Sequence, residues 1–169
     1  MRLVPILLAA TLVPAAALAD AHVGPRLTGT ILDRDGANVG SVSVFETASG
    51  LVRITIAADL GVPDGAHGLH LHETGLCEGD FASAGGHIAG DARHGLVEGG
   101  PHPGDLPNGF VAGGALNYET FNGRISVTDD LADADGAALI VHSGPDDYES
   151  QPAGDAGDRI ACAVLAPPA

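Results

Sequence analysis

Lysine is missing from the chain altogether, and so is tryptophan. The seven basic residues are all arginine and face 22 Asp and Glu, for a formal net charge of −15. So acidic a molecule excludes nucleic acid and anionic membrane faces as partners, because both would repel it. Aromatic residues make up only 4%, so a core has to be assembled from Val, Ile, Leu and Ala. Beyond the first 20 residues no apolar run is long enough to cross a bilayer as a helix. Helical periodicity is also lacking over any useful length.

Cysteine is scarce too, with only Cys77 and Cys162. Two thiolates so far apart make a poor metal site by themselves. In an oxidising compartment a pair with no leftover thiol reads as one disulfide. Closing a loop of this length stabilises a fold by about 4–5 kcal/mol in the chain-entropy model.

What is there begins with a leader. "MRLVPILLAATLVPAAALAD" has one positive charge at Arg2, an apolar stretch, and the small-x-small site Ala17-Leu18-Ala19 before Asp20. This is the pattern of a cleaved export signal over residues 1–19, leaving residues 20–169 as one domain. The apolar stretch carries Pro5 and Pro14 and is short for a permanent anchor. After cleavage no membrane association is expected.

The body of the chain reads as short strands. "LTGTILD" and "GSVSVFET" are β-rich and separated by a turn at Asp35-Gly36. In "LVRITIAA", Val52, Ile54 and Ile56 face one way and Arg53 and Thr55 the other. "GLHLHE", "FVAGGALNYE", "GRISVTD", "AALIVHS" and "RIACAVLA" complete a set of eight. Strands at this density predict an all-β antiparallel sandwich or barrel. Two long polar segments interrupt them, residues 73–107 and the stretch "GPDDYESQPAGDAGD". Loops of such length in a compact domain are functional or disordered.

Histidine decides between those two. The chain holds eight, and His67, His70 and His72 fall within six positions. His70 and His72 share one face of a strand and are within reach of a common metal ion. Taken alone, that pair fits ordinary buried histidines equally well. The long loop adds His87, His94 and His102, with Asp105 three residues on, and "ALIVH" ends in His142. Spacings of seven and eight let a loop wrap three imidazoles round one ion. Three imidazoles and a carboxylate suit Zn²⁺, and a mostly imidazole site suits copper or zinc. Spacing alone does not assign the metals.

"HGLHLHE", "AGGH", "HPGDLPN", "LIVH" and "GDAGDRIACAV" stand in this order along the chain. Together with the cysteine pair they resemble the Cu,Zn superoxide dismutases, especially the exported bacterial type, over residues 29–165. The resemblance implies an eight-stranded antiparallel Greek-key β-barrel whose two long loops form the metal site. It implies a superoxide dismutase, an oxidoreductase converting superoxide to O₂ and H₂O₂. One copper per subunit would be alternately reduced and reoxidised, bridged through histidine to one structural zinc. By the same resemblance His70, His72, His87 and His142 are copper ligands, and His87, His94, His102 and Asp105 are zinc ligands. His87 bridges, and Arg159 receives the superoxide anion. Asp146 or its neighbour Asp147 links ligands of both metals. His67 is a structural neighbour, Cys77 pairs with Cys162, and His22 matches nothing. The implied location is the periplasm, as monomer or homodimer.

The chain departs from the family pattern in two ways. The His94 motif reads "ARHGL", without the usual proline and lysine, and the spacings from His87 to His102 are short. The lysines that commonly steer superoxide are missing, and "TDDLADADGA" precedes the His142 strand. A copper or zinc carrier on the same fold is the competing function. It would usually lose a ligand or the arginine, and both are kept. A purely structural secreted domain leaves the histidines unexplained.

Overall fold

The computed structural model describes residues 22–168, so the expected leader at residues 1–19 lies outside the described residues. Nine strands form one antiparallel sheet: β1 His22–Asp33, β2 Asn38–Thr47, β3 Val52–Asp59, β4 Gly65–His67, β5 Leu69–His72, β6 Gly109–Ala112, β7 Ala115–Asn122, β8 Ala137–His142 and β9 Arg159–Leu165. Their order across the sheet is β4-β6-β7-β3-β2-β1-β9-β8-β5. The two end strands, β4 and β5, are consecutive in sequence. The sheet therefore curls until its ends meet at Gly68, giving a nearly closed barrel.

Gly68 separates the expected strand "GLHLHE", observed as β5, from an additional short strand, β4, that lies before it where no strand was expected. Residues 65–67 pair with β6, and residues 69–72 pair with β8. A Cβ at Gly68 would stand 2.9 Å from that of Ala156, so only glycine lets the second long loop lie against this bend. "FVAGGALNYE" divides at Gly113-Gly114 into the β6–β7 hairpin.

"GRISVTD", expected as a strand, is instead a π-helical turn at Val127–Leu131. Ser126 Oγ accepts from the Asp129 amide at 3.1 Å, and Asp130 Oδ2 accepts from the Ser126 amide at 2.6 Å. This reciprocal capping starts a helical turn, and Val127 and Leu131 sit four apart, both buried. The eight expected strands thus gain one by division and one, β4, that was not expected, and lose one here.

The core follows the alternation. In β3, Val52, Ile54, Ile56 and Ala58 are buried, while Arg53 and Thr55 are half-buried. β5 and β8 are buried along their whole length. Leu69 and Leu71 join Leu139 and Val141 in the barrel interior. The opposite face of the same strands carries His70, His72 and His142, and both long loops fold over it. A smaller apolar cluster of Phe81, Ala84, Ala138, Ile140 and Cys162 lies on that side, with Cys77 against it. The Cys77–Cys162 disulfide fastens the first loop to β9.

Candidate metal centre

The first long loop reaches the site by lying along the free edge of β5. The Leu71 amide donates to the Gly104 carbonyl, the Ile88 amide to Leu71, and the Glu73 amide to Gly86, at 2.9–3.0 Å. Bridge pairings then set His72 opposite His87 and His70 opposite Asp105. β8, on the other edge, brings His142. Backbone pairing therefore delivers residues from four distant segments to one small volume.

Four of these histidines show the same pattern. His70 Nε2 bonds Asp146 Oδ2 at 2.8 Å and His72 Nδ1 donates to the Gly85 carbonyl at 3.0 Å. His87 Nδ1 meets Asp105 Oδ1 at 2.9 Å, and His142 Nδ1 donates to the Gly157 carbonyl at 3.2 Å. The other ring nitrogen of each, His70 Nδ1, His72 Nε2, His87 Nε2 and His142 Nε2, is buried with no hydrogen-bond partner. Ligand atoms of these four residues lie within 4.8 Å of one another. A carbonyl oxygen can only accept, so the bonded nitrogens of His72 and His142 carry the protons, and Nε2 of each presents a lone pair. Four buried, unpartnered nitrogens turned to one point are costly without a cation and natural around one.

A second convergence lies beside the first. Asp105 Oδ1 is met by Nδ1 of His87 at 2.9 Å, of His94 at 3.1 Å and of His102 at 3.2 Å. His94 also bonds Asp146 Oδ1 through Nε2, at 3.0 Å. A neutral imidazole donates only once, so with Nε2–H on Asp146, Nδ1 carries a lone pair toward another anion. A tetrahedral ion with ligands at about 2.0–2.1 Å spaces them about 3.3 Å apart, close to these separations. The donor set therefore fits zinc. His70 also comes within 4.8 Å of the His87, His94 and Asp105 ligand atoms, but its Nε2 is held by Asp146 and its free Nδ1 belongs with the first set.

Asp146 ties the two sets together, bonding His70 with one oxygen and His94 with the other. Asp147 does not; it bonds Ser150 and the Glu149 amide. Asn108, which the sequence did not single out, clamps the Asp146 backbone, donating to its carbonyl and accepting from its amide, both at 2.9 Å. His67 stands apart, with Nδ1 2.8 Å from the His142 carbonyl oxygen and Nε2 facing that of Pro63. His22 lies at the start of β1, paired through its backbone with Thr47.

Arg159, half-buried, is aimed by two carbonyls: it donates to Phe81 O at 2.6 Å and to Gly85 O at 2.7 Å. Gly85 O thus serves both Arg159 and His72. Phe81 holds a left-handed backbone (φ 66°) although it is not glycine. That strained conformation is kept where its carbonyl meets the arginine. The disulfide anchors this same stretch of loop. Arg159, His72, His87, His142, Glu73 and Pro152 line an open cavity of about 520 Å³.

Residues 38–165 match the family model described as copper/zinc superoxide dismutase. The chain belongs to that family. It is similar to the Cu-Zn superoxide dismutase of Caulobacter vibrioides, 38% identical with 82% of this chain and 84% of the relative covered. One from Aquifex aeolicus is 37% identical, covering 80% of this chain and 84% of the relative. Among solved structures, a superoxide dismutase-like protein from Bacillus subtilis superposes with a TM-score of 0.76 at 33% identity, covering 82% of this chain and 97% of that one. The Cu/Zn superoxide dismutase from Brucella abortus gives 0.69 at 27%, covering 83% and 99%. The nine strands are thus a variant count of the family barrel.

Burial dominates the titration of the centre. It depresses His70 to about 4, His72 to about 2 and His142 to about 3 from the ordinary value near 6.5. Burial also lowers His102. For Asp105, burial works to raise the carboxyl, but hydrogen bonds from the His87 ring and the Gly95 amide outweigh it, leaving it well below the usual range. His70, His72 and His142 therefore stay neutral, in ligand form, far into acid. Unfolded histidines take up protons near pH 6.5 that the folded ones refuse. The metal-free protein should thus be most stable above that pH and weaken progressively as pH falls towards about 4. Urea midpoints at pH 7.5 and 4.5 check this: the acid value should be lower, and equal midpoints would contradict it.

Proposed function

We propose that the chain dismutes superoxide at the first histidine set. His70 Nδ1 and Nε2 of His72, His87 and His142 would hold copper, and Nδ1 of His87, His94 and His102 with Asp105 would hold zinc. The four buried unpartnered nitrogens carry this reading. When bound, the copper supplies one-electron redox chemistry, and the zinc, which has none, shapes the loop.

The protein's own part is to bind, orient and move a proton. Arg159 offers a fixed guanidinium at the cavity, which docks a small anion by charge-assisted hydrogen bonds. His87 faces both sets, so its Nε2 can carry a proton to the second superoxide while Nδ1 keeps the ring in place. Two superoxide anions and two protons then leave as O₂ and H₂O₂. Asp146 fixes the rings of His70 and His94. Metal analysis with stopped-flow superoxide decay tests the reading. Many turnovers per bound copper are expected. Copper and zinc near one each without turnover would make the protein a carrier instead.

The charge pattern bears on rate. Without lysine at the cavity, and with exposed Glu73 on its rim, long-range attraction of an anion is weak. Added salt should therefore slow the reaction less steeply than in lysine-bearing relatives. A steep fall in rate across ionic strength would contradict this.

Export to the periplasm is the matching location. The leader pattern of residues 1–19 and the Cys77–Cys162 disulfide support it. Among the described residues no helix is long and apolar enough to cross a membrane.

A further inference from the structure

We propose that Gln151 is a positioning residue for the zinc set and ties that set to the wall of the copper cavity. The inference rests on the reading that His94 holds zinc. Gln151 lies on the second long loop, 57 residues from His94, and holds the His94 backbone at both its amide and its carbonyl. Its Oε1 accepts from the His94 amide at 3.0 Å, and its Nε2 donates to the His94 carbonyl at 2.8 Å. The remaining Nε2 hydrogen goes to the Glu149 carbonyl at 2.9 Å, which fixes the amide plane. Both the ring and the backbone of His94 are thus held by one loop, the ring through Asp146.

His94 sits in "DARHGL", between Arg93 and Gly95, in a stretch without regular secondary structure. The clamp ties this stretch to the second long loop at the ligand residue itself. It also has a consequence beyond His94. Pro152 and Ala153, directly after Gln151, line the cavity beside His142 and Arg159. Gly154 follows with φ +68°, where a Cβ would fall 1.9 Å from Asp146 Oδ1 and 2.6 Å from His94 Nε2. Residues 151–154 therefore lie against the zinc-side groups on one flank and form the cavity wall on the other. A change at His94 passes to that wall through Gln151.

Gln151→Met keeps the length of the side chain and removes all three hydrogen bonds. With copper and zinc loaded, zinc release to a chelator should be about tenfold faster than in the parent, the lower end of what supporting partners contribute. Cobalt placed in the zinc set should show a changed visible spectrum. The copper electron-spin resonance of the resting protein should be unchanged, which a general loss of stability would not produce. Amide exchange at residues 153–157 should rise with zinc bound, to the level the parent reaches only after zinc removal. Gln151→Glu keeps the acceptor for the His94 amide but sets a carboxylate against its carbonyl, and should release zinc as fast as Met or faster.

Zinc release within twofold of the parent in both variants would overturn the proposal, as would an unaltered cobalt spectrum. Should the parent itself take up no zinc, the reading of His94 fails. Slow exchange of the His94 amide in that protein would still report the clamp.

Discussion

Replacing His87 by alanine should lower superoxide turnover by about 10²–10⁴-fold, the usual range for removing a positioned acid–base group. Among the described residues, only His87 offers one ring nitrogen to each set, Nε2 unpartnered among the first and Nδ1 against Asp105 in the second. Alanine removes one donor from each and the proton carrier between them. The ring stacks on His70 with centroids 3.9 Å apart, so some loosening of His70 should follow. Stopped-flow decay on protein with measured metal content separates lost metal from lost chemistry. A variant retaining near-parental turnover would remove His87 from the mechanism.

Asp146→Leu should weaken zinc retention by about 10–100-fold, the range for a carboxylate that orients metal-binding imidazoles. Its side chain is fully buried and accepts from His70, His94 and the Tyr148 amide. Leucine fills a similar volume but strands two imidazole N–H groups, each at a cost of about 1–3 kcal/mol. Unlike Gln151→Met, this change should disturb the copper signal as well, because Asp146 holds His70. Chelator competition reads the zinc, and unchanged retention would contradict the role.

Much of the barrel was legible from pattern. Val52, Ile54 and Ile56 alternate with polar neighbours, and the strand follows. Two of the departures have local causes. Gly68 looked like the lead-in to "LHLHE", yet it is the bend that closes the sheet. "GRISVTD" carries enough β-branched residues to suggest a strand, but Ser126 and Asp130 cap each other and turn the chain. The histidines were visible at once, though His70 and His72 alone fitted ordinary buried residues equally well. Their meaning rests on which nitrogens are left unpartnered, a property of three-dimensional packing.

The amide clamps were not legible at all. Asn108 holds Asp146 from 38 residues away and Gln151 holds His94 from 57. No spacing rule announces a side-chain amide that pairs with a distant peptide. Such contacts exist only once the two loops have docked, and the disulfide, the Gly68 bend and the β5 edge decide how they dock. The carbonyls of Phe81 and Gly85 that aim Arg159 belong to the same class, because a backbone acceptor leaves no mark in composition.

Anomalous diffraction at the copper and zinc edges, on crystals of the metal-loaded protein, tests the central assignment most directly. The copper signal should lie among His70 Nδ1 and Nε2 of His72, His87 and His142, with zinc among Nδ1 of His87, His94 and His102 and Asp105. Two peaks flanking the His87 ring are predicted. A single metal peak, or copper bound away from the four unpartnered nitrogens, would contradict the account.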